Sequence, residues 1–385
     1  MSGILENKGQ RWHWIVPMSI VAGCMAFAFS CLFMAPTLAT WNLGDDYARM
    51  ADDPFGGHSA FPFRVLGPLL AYILGFGSAH YWIFAHALVV TFLASVFGTA
   101  VIRGSSILGA MILTMIISIT GAVEVYKGHV GYPEPLSYTL LLWSTFLLRR
   151  TGWFWFVLFC GALNHENTVF LWPWIVHMKV VESGGIRRAD VVGGAIALSA
   201  SMVARWVLMG DQAARSVSFY LLDQKLSFAM GMWVLDVVAV VVYFGGLMTV
   251  LAWHAWFDGF RRVGIGIIFA FAGILAMSFF AADLQRFVCF LALPMVIAAT
   301  RLLQRPSGTL ALSICGIVTA VAILWQRQLV VLIYDTMVVY LPDPVSAVPT
   351  QVVPALWHVF LGYAIAISAM IFIGRHYALR QSAEE

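Results

Sequence analysis

YWIFAHALVVTFLASVFGTAVIRGSSILGAMILTMIISITGAV, residues 81–123, decides the fold. It carries a single charged side chain, Arg103, and the Gly104-Ser105-Ser106 that follows splits it into two apolar runs. Each run is close to the roughly 20 residues an α-helix needs to cross a hydrocarbon core. Only helices and closed barrels satisfy their backbone in lipid, and runs this long and continuous predict helices. The whole chain repeats the pattern: of 385 residues, 61% are hydrophobic and 11% charged, with a mean hydropathy of +0.86. A soluble domain has about 25% charged residues. A water-soluble globule, a disordered chain and a nucleic-acid binder are thereby excluded. An all-α, polytopic transmembrane bundle is expected.

Apolar runs near 15–38, 80–102, 105–123, 135–148, 152–164, 168–181, 190–209, 231–256, 264–282, 287–303, 308–326 and 354–374 predict about 12 spans. The first exceeds the 7–15 residues of a signal-peptide core and reads as an anchor. Lys and Arg set direction. With both termini cytoplasmic, the inner loops collect fourteen of the 22 basic residues, including Arg149-Arg150, Arg187-Arg188 and Arg261-Arg262, but only six of the 19 acids. The remaining acids, with most His and Tyr, fall to the outer face or within spans, so chemistry is expected at the extracytoplasmic side of a plasma (bacterial inner) membrane. The five cysteines lie in apolar runs without CxxC spacing and predict neither disulfides nor metal ligands.

Three outer places concentrate ionisable groups. After the first span, residues 39–64 read ATWNLGDDYARMADDPFGGHSAFPFR, with Asp45-Asp46, Asp52-Asp53, His58 and Arg64. Adjacent carboxylates near a bilayer resist desolvation and need water, a cation or a metal. They suit a general base, and a Mg²⁺ or Mn²⁺ ion on Asp45 and Asp46 stays open. The next segment, Arg64–Gly77, is half a span long and predicts an interfacial helix pinning the acidic loop to the membrane. A solvated spacer is the plainer reading of the same loop.

EVYKGHVGYPEP, residues 124–135, places Lys127, His129 and Glu134 in a predicted irregular hairpin that can hold an anion. GALNHENTVFLWPW, residues 161–174, sets Asn164-His165-Glu166-Asn167 in an otherwise apolar run. Ionisable residues at membrane depth mark sites by default, with an interhelical hydrogen-bond cluster as the structural alternative. Asp283 and Arg286 form either a self-neutralising pair or a phosphate clamp, and Arg205 lies near the outer end of its span.

Taken together, Gly44-Asp45-Asp46-Tyr47 with Ala51, then Arg64-Val65-Leu66 with Pro68, Glu134-Pro135 and His165-Glu166 resemble the GT-C superfamily of integral-membrane glycosyltransferases. The resemblance covers roughly the first 180 residues, dividing a single transmembrane domain, 1–385, into a GT-C-like module (1–183) and a variable helical half (184–385). It implies a transferase working on cell-envelope glycans: a polyprenyl-phosphate sugar as donor and a glycan, lipid or protein as acceptor. Asp45 or Asp46 becomes the base, with Asp46 preferred because it precedes Tyr47. Arg64, Lys127, His129, Glu134, His165, Glu166, Arg205 and Arg286 become the donor and phosphate ligands. Where relatives often carry Arg-Glu, this chain carries His165-Glu166. The competing expectations are a secondary transporter, for which no pair of matching interrupted helices stands out, and a flippase or polymerase of lipid-linked glycans.

Overall fold

A computed structural model describes residues 8–40, 43–56, 63–209, 247, 250, 264–280, 284–305 and 307–325. Every regular element among them is helical. Among the described residues, three helices are long and apolar enough to cross a membrane. They are α1 (Lys8–Ser30), α4 (Tyr81–Ile102, entered through a short 3₁₀ turn) and α10 (Arg188–Met209). A fourth span exists if α5 (Ile107–Ser118) and α6 (Gly121–Gly128), bent by 47° at their junction, count as one. The bend has a sequence cause. Ser118 and Thr120 turn their hydroxyls onto Met115 O and Ile117 O, and Gly121 follows directly.

The other runs take shorter forms. Helix α7 covers Glu134–Ser144, α8 Thr151–Asn164, α9 Trp172–Ser183, α11 Ile265–Phe280 and α14 Gly308–Trp325. The run expected to span at 287–303 is instead α12 (Leu284–Val288), a 3₁₀ turn and α13 (Ala292–Leu302), with residues 286–300 all buried. A segment apolar on every side fits a protein interior as well as it fits lipid. The run at 231–256, apart from Leu247 and Val250, and the run at 354–374, with His58 and Asp283, lie outside the described residues.

Burial sorts the spans. Helix α4 is the centre, packed by α1, α5 and α7, whereas α10 rests on α8 and leaves Val192, Ile196, Met202, Val203 and Trp206 outward. Between the first two spans, α2 (Leu43–Asp52) and α3 (Leu66–Ile73) form a separate small layer. Leu43, Tyr47, Met50 and Ala51 recur at helical spacing and bury one face of α2 against Ala71, Tyr81 and Phe84. The half-span at 64–77 is this α3, which buries Gly67, Pro68 and Ala71 and exposes Tyr72, Ile73 and Leu74.

The start of α2 is seated backbone to backbone. A Cβ on Gly44 would lie 2.1 Å from Val130 O, and one on Gly131, at φ +106°, 2.7 Å from Gly44 Cα. Only glycine fits either position. This contact sets α2 directly beside the turn that leads into Glu134. The hairpin expected over 124–135 is half helical, because α6 runs through Glu124 and Lys127 before the chain turns.

Candidate functional site

Four distant stretches meet at one end of the bundle. Arg64 arrives from the turn before α3, Glu134 from the first residue of α7, His165-Glu166 from the break after α8, and Arg286 from α12. The break at 165 is local in origin: His165 takes an extended conformation (φ −158°, ψ 124°) and its Nδ1 accepts the Asn167 N–H at 3.2 Å, capping the 3₁₀ turn Glu166–Leu171. Asn164 ties the break to α7 by donating from Nδ2 to Pro133 O (2.6 Å) and Ser137 Oγ (2.8 Å).

Two ion pairs form the frame, one buried and one with its carboxylate partly exposed. Arg64 meets Glu166 with both prongs of its guanidinium, Nε donating to Oε2 at 2.8 Å, and its Nη1 donates to the Tyr47 hydroxyl at 2.8 Å. The Arg286 Nη1 donates to Glu134 Oε1 at 3.0 Å, and its guanidinium lies over the Tyr132 ring, 4.2 Å from the centroid. The planar fork of arginine is what allows pairing along an edge and stacking on a face together. His165 stands between the pairs, Nε2 facing Glu134 Oε1 at 3.5 Å and Nδ1 3.4 Å from Glu166 Oε2. Because Nδ1 accepts from a backbone amide, the neutral ring carries its proton on Nε2, toward Glu134.

Electrostatics follow from burial and partners. Burial pushes the Glu134 and Glu166 carboxyls up, but Arg286 at the first and Arg64 at the second outweigh it, and both settle below the ordinary carboxylate range. Burial and then Arg64 lower His165, which stays neutral near pH 7. Burial raises the Tyr47 hydroxyl to about 12, so it remains protonated. Arg205 joins from α10. Its guanidinium sits 4.3 Å from the centre of the Phe63 ring, and that of Arg64 lies 5.7 Å from the same ring. Among the described residues, three guanidiniums therefore face two carboxylates, with Arg64 and Arg286 buried and Arg205 half-buried. Glu134 Oε2 is buried and has no hydrogen-bond partner among the described residues.

Of the residues the sequence nominated, Arg64, Glu134, His165, Glu166, Arg205 and Arg286 thus come together. His129 is adjacent, its ring edge-on to Tyr132 at 5.7 Å. Lys127 is elsewhere in function. Its buried ammonium donates to Ser30 O (2.7 Å), Ser30 Oγ (3.1 Å) and Met34 O (2.8 Å) and pairs with Glu124 at 2.7 Å, pinning the end of α1 to α6. These four acceptors leave it no proton for an anion. Asp45 and Asp46 occupy the first turn of α2, where the helix dipole favours carboxylates. Asp45 is exposed and accepts from Thr40 Oγ1 at 2.5 Å, while half-buried Asp46 pairs with Arg49. A neighbouring cation and the helix terminus thus relieve the repulsion. No group of three or more His, Cys, Asp or Glu suited to a metal gathers among the described residues, so a divalent cation here would rest on Asp45 and Asp46 with oxygens of its ligand.

Tyr47, Phe63, Tyr132 and Asn164 were not among the nominated ligands, yet they position the arginines and the histidine. Tyr47, Phe63 and Asn164 stood next to nominated residues in the sequence, and Tyr132 lay in the 124–135 stretch two residues before Glu134. The chain matches no known family model, no curated protein and no solved structure.

Proposed function

We propose that the chain is an integral-membrane glycosyltransferase of GT-C type that moves a sugar from a polyprenyl-phosphate donor to an extracytoplasmic acceptor. In this reading about 12 spans sit in the plasma (bacterial inner) membrane and α3 lies in the outer interface. One observation carries it: the cationic group of Arg64, Arg205 and Arg286, held by Glu134, Glu166 and His165, lies under the helix that bears Asp45 and Asp46. Tyr47 links the two by its bond to Arg64. A scaffold has no need to bury two guanidiniums, with a third half-buried beside them, at one end of a bundle, since desolvating each buried one costs several kcal/mol.

The chemistry divides accordingly. The acceptor oxygen bonds to the anomeric carbon as the bond from that carbon to the donor phosphate oxygen breaks. The acceptor proton passes to the carboxylate of Asp46 or Asp45, and the electron pair leaves on the phosphate. That leaving group needs cations aimed at its developing charge more than covalent help. Glu134 and Glu166 hold the arginines in place, and neutral His165 offers its Nε2 proton within the group. A Mg²⁺ or Mn²⁺ ion on Asp45 and Asp46 would add charge on the acceptor side.

The test is transfer from a polyprenyl-phosphate sugar by purified Asp45→Asn and Asp46→Asn variants. At least one is expected to be inactive while inserted and folded, and full activity in both would remove the base. Mass spectrometry of co-purified lipids would name the donor. One observation favours a secondary transporter instead, the near self-neutralisation of the ion pairs. Solute uptake into proteoliposomes free of lipid-linked donor would decide for it.

A further inference from the structure

A second cationic region lies at the opposite end of α8 and α10. Arg205 and Arg188 are both in α10, seventeen residues apart, which at 1.5 Å per residue separates them by about 25 Å. At this far end, Thr151 Oγ1 donates to Asp190 Oδ1 at 2.7 Å, and the Arg187 N–H donates to Asp190 Oδ2 at 3.0 Å. These bonds bring the start of α8, preceded by Arg149 and Arg150, against the start of α10, with Arg187 and Arg188. All four arginine side chains are exposed. Among the described residues none of them makes an ion pair, because Asp190 is taken by Lys179 at 3.2 Å and Glu182 by Arg103 at 3.8 Å.

Beside this cationic rim opens a cleft of about 190 Å³ between α8, α9 and α10, lined by Trp155, Val176, Val180, Ile186, Val191 and Ala195 together with the mutually paired Lys179 and Asp190. Its wall exists because Gly193 and Gly194 admit the indole of Trp155, whose atoms lie 2.4 Å and 2.9 Å from where a Cβ would stand. The cleft runs into the outward apolar face of α10, where Val192 and Ile196 are exposed, and Trp153, two residues into α8, is exposed at the same level. A largely apolar slot continuous with a lipid-facing helix, with four exposed arginines at the adjoining helix starts, suits the two halves of one ligand: a chain in the slot and an anionic phosphate beside it. Juxtamembrane basic clusters attract anionic headgroups, and basic pockets between helices hold them.

We infer that this cleft is a binding site for an anionic phospholipid, its phosphate on Arg150, Arg187 and Arg188 and part of one acyl chain along Val176, Val191 and Ala195. The site is separate from the proposed donor site and does not depend on it. Zwitterionic lipids meet the same slot but gain little from the rim, so the discrimination comes from net headgroup charge.

The experiment is native mass spectrometry of the full-length protein, delipidated in mild detergent and titrated with dioleoyl-phosphatidylglycerol or dioleoyl-phosphatidylcholine. The phosphatidylglycerol adduct is expected to survive collisional activation and to exceed the phosphatidylcholine adduct at least fivefold. Two variants separate the halves. Arg187→Gln/Arg188→Gln, at exposed positions, should remove the preference, and Ala195→Trp, filling the slot, should reduce both adducts with the arginines intact. Equal retention of the two lipids by the wild-type protein, or an unchanged preference in the double variant, would overturn the proposal.

Discussion

The pair Glu134–Arg286 offers the sharpest test of how the cluster is held. The Glu134 side chain is fully buried and that of Arg286 only 7% exposed, joined at 3.0 Å across 152 residues of sequence. Glu134→Gln keeps shape and one acceptor but removes the Glu134 charge from the guanidinium of Arg286, next to the Tyr132 ring. Stranding one member of a buried pair costs about 3–5 kcal/mol. The retained amide acceptor places this variant near the low end, about 3 kcal/mol. Arg286→Met strands the carboxylate instead, though His165 Nε2 still faces it, so a similar loss is expected. In Glu134→Gln/Arg286→Met no charge is stranded, and the loss should be no larger than that of either single variant. That gives a coupling of at least about 3 kcal/mol. Unfolding in mixed micelles, followed by tryptophan fluorescence for all four proteins, reads the cycle. Additive losses with no coupling would refute the pairing on which the site is built.

His165 supplies a pH signature. Its depressed pKa means that the unfolded chain takes up a proton below about pH 6.5 while the folded chain refuses it. Stability contributed by the neutral ring is present above that value and falls as the pH drops from 7 toward 5, by at most about 1.4 kcal/mol per pH unit. His165→Asn should flatten that slope, and identical slopes in midpoint against pH would end the argument. Glu166, also depressed, loses its contribution only as pH falls below its ordinary range near 4.3, outside that window. Lys127→Met is expected to cost about 3 kcal/mol or more by stranding Glu124 and removing the ammonium donor to Ser30 O and Met34 O, without changing KM for donor. A raised KM at unchanged stability would return Lys127 to the anion site. Gly131→Ala should lose about 2–4 kcal/mol from positive φ and collision with Gly44, whereas Gly152→Ala, whose Cβ meets nothing within 4 Å, should be neutral or stabilising. Thermal midpoints in detergent compare them, and equal values would show that α2 is not seated as described.

What the residues alone determined is the helical, membrane-embedded character of the chain, because hydropathy is a local property and 61% apolar content leaves no soluble alternative. They also marked Arg64, Glu134, His165, Glu166, Arg205 and Arg286, since an ionisable group in an apolar stretch stands out wherever it ends up. Local reading stopped at two limits. An apolar run looks the same whether lipid or protein surrounds it, so the buried stretch 286–300 counted as a span although its helix is broken at Cys289–Leu291. And a charged residue does not name its partner. Arg64 finds Glu166 across 102 residues, whereas Lys127 turns away to close the end of α1. Those choices belong to packing, because desolvation makes each buried charge take whichever opposite charge or carbonyl the neighbouring helix brings within reach.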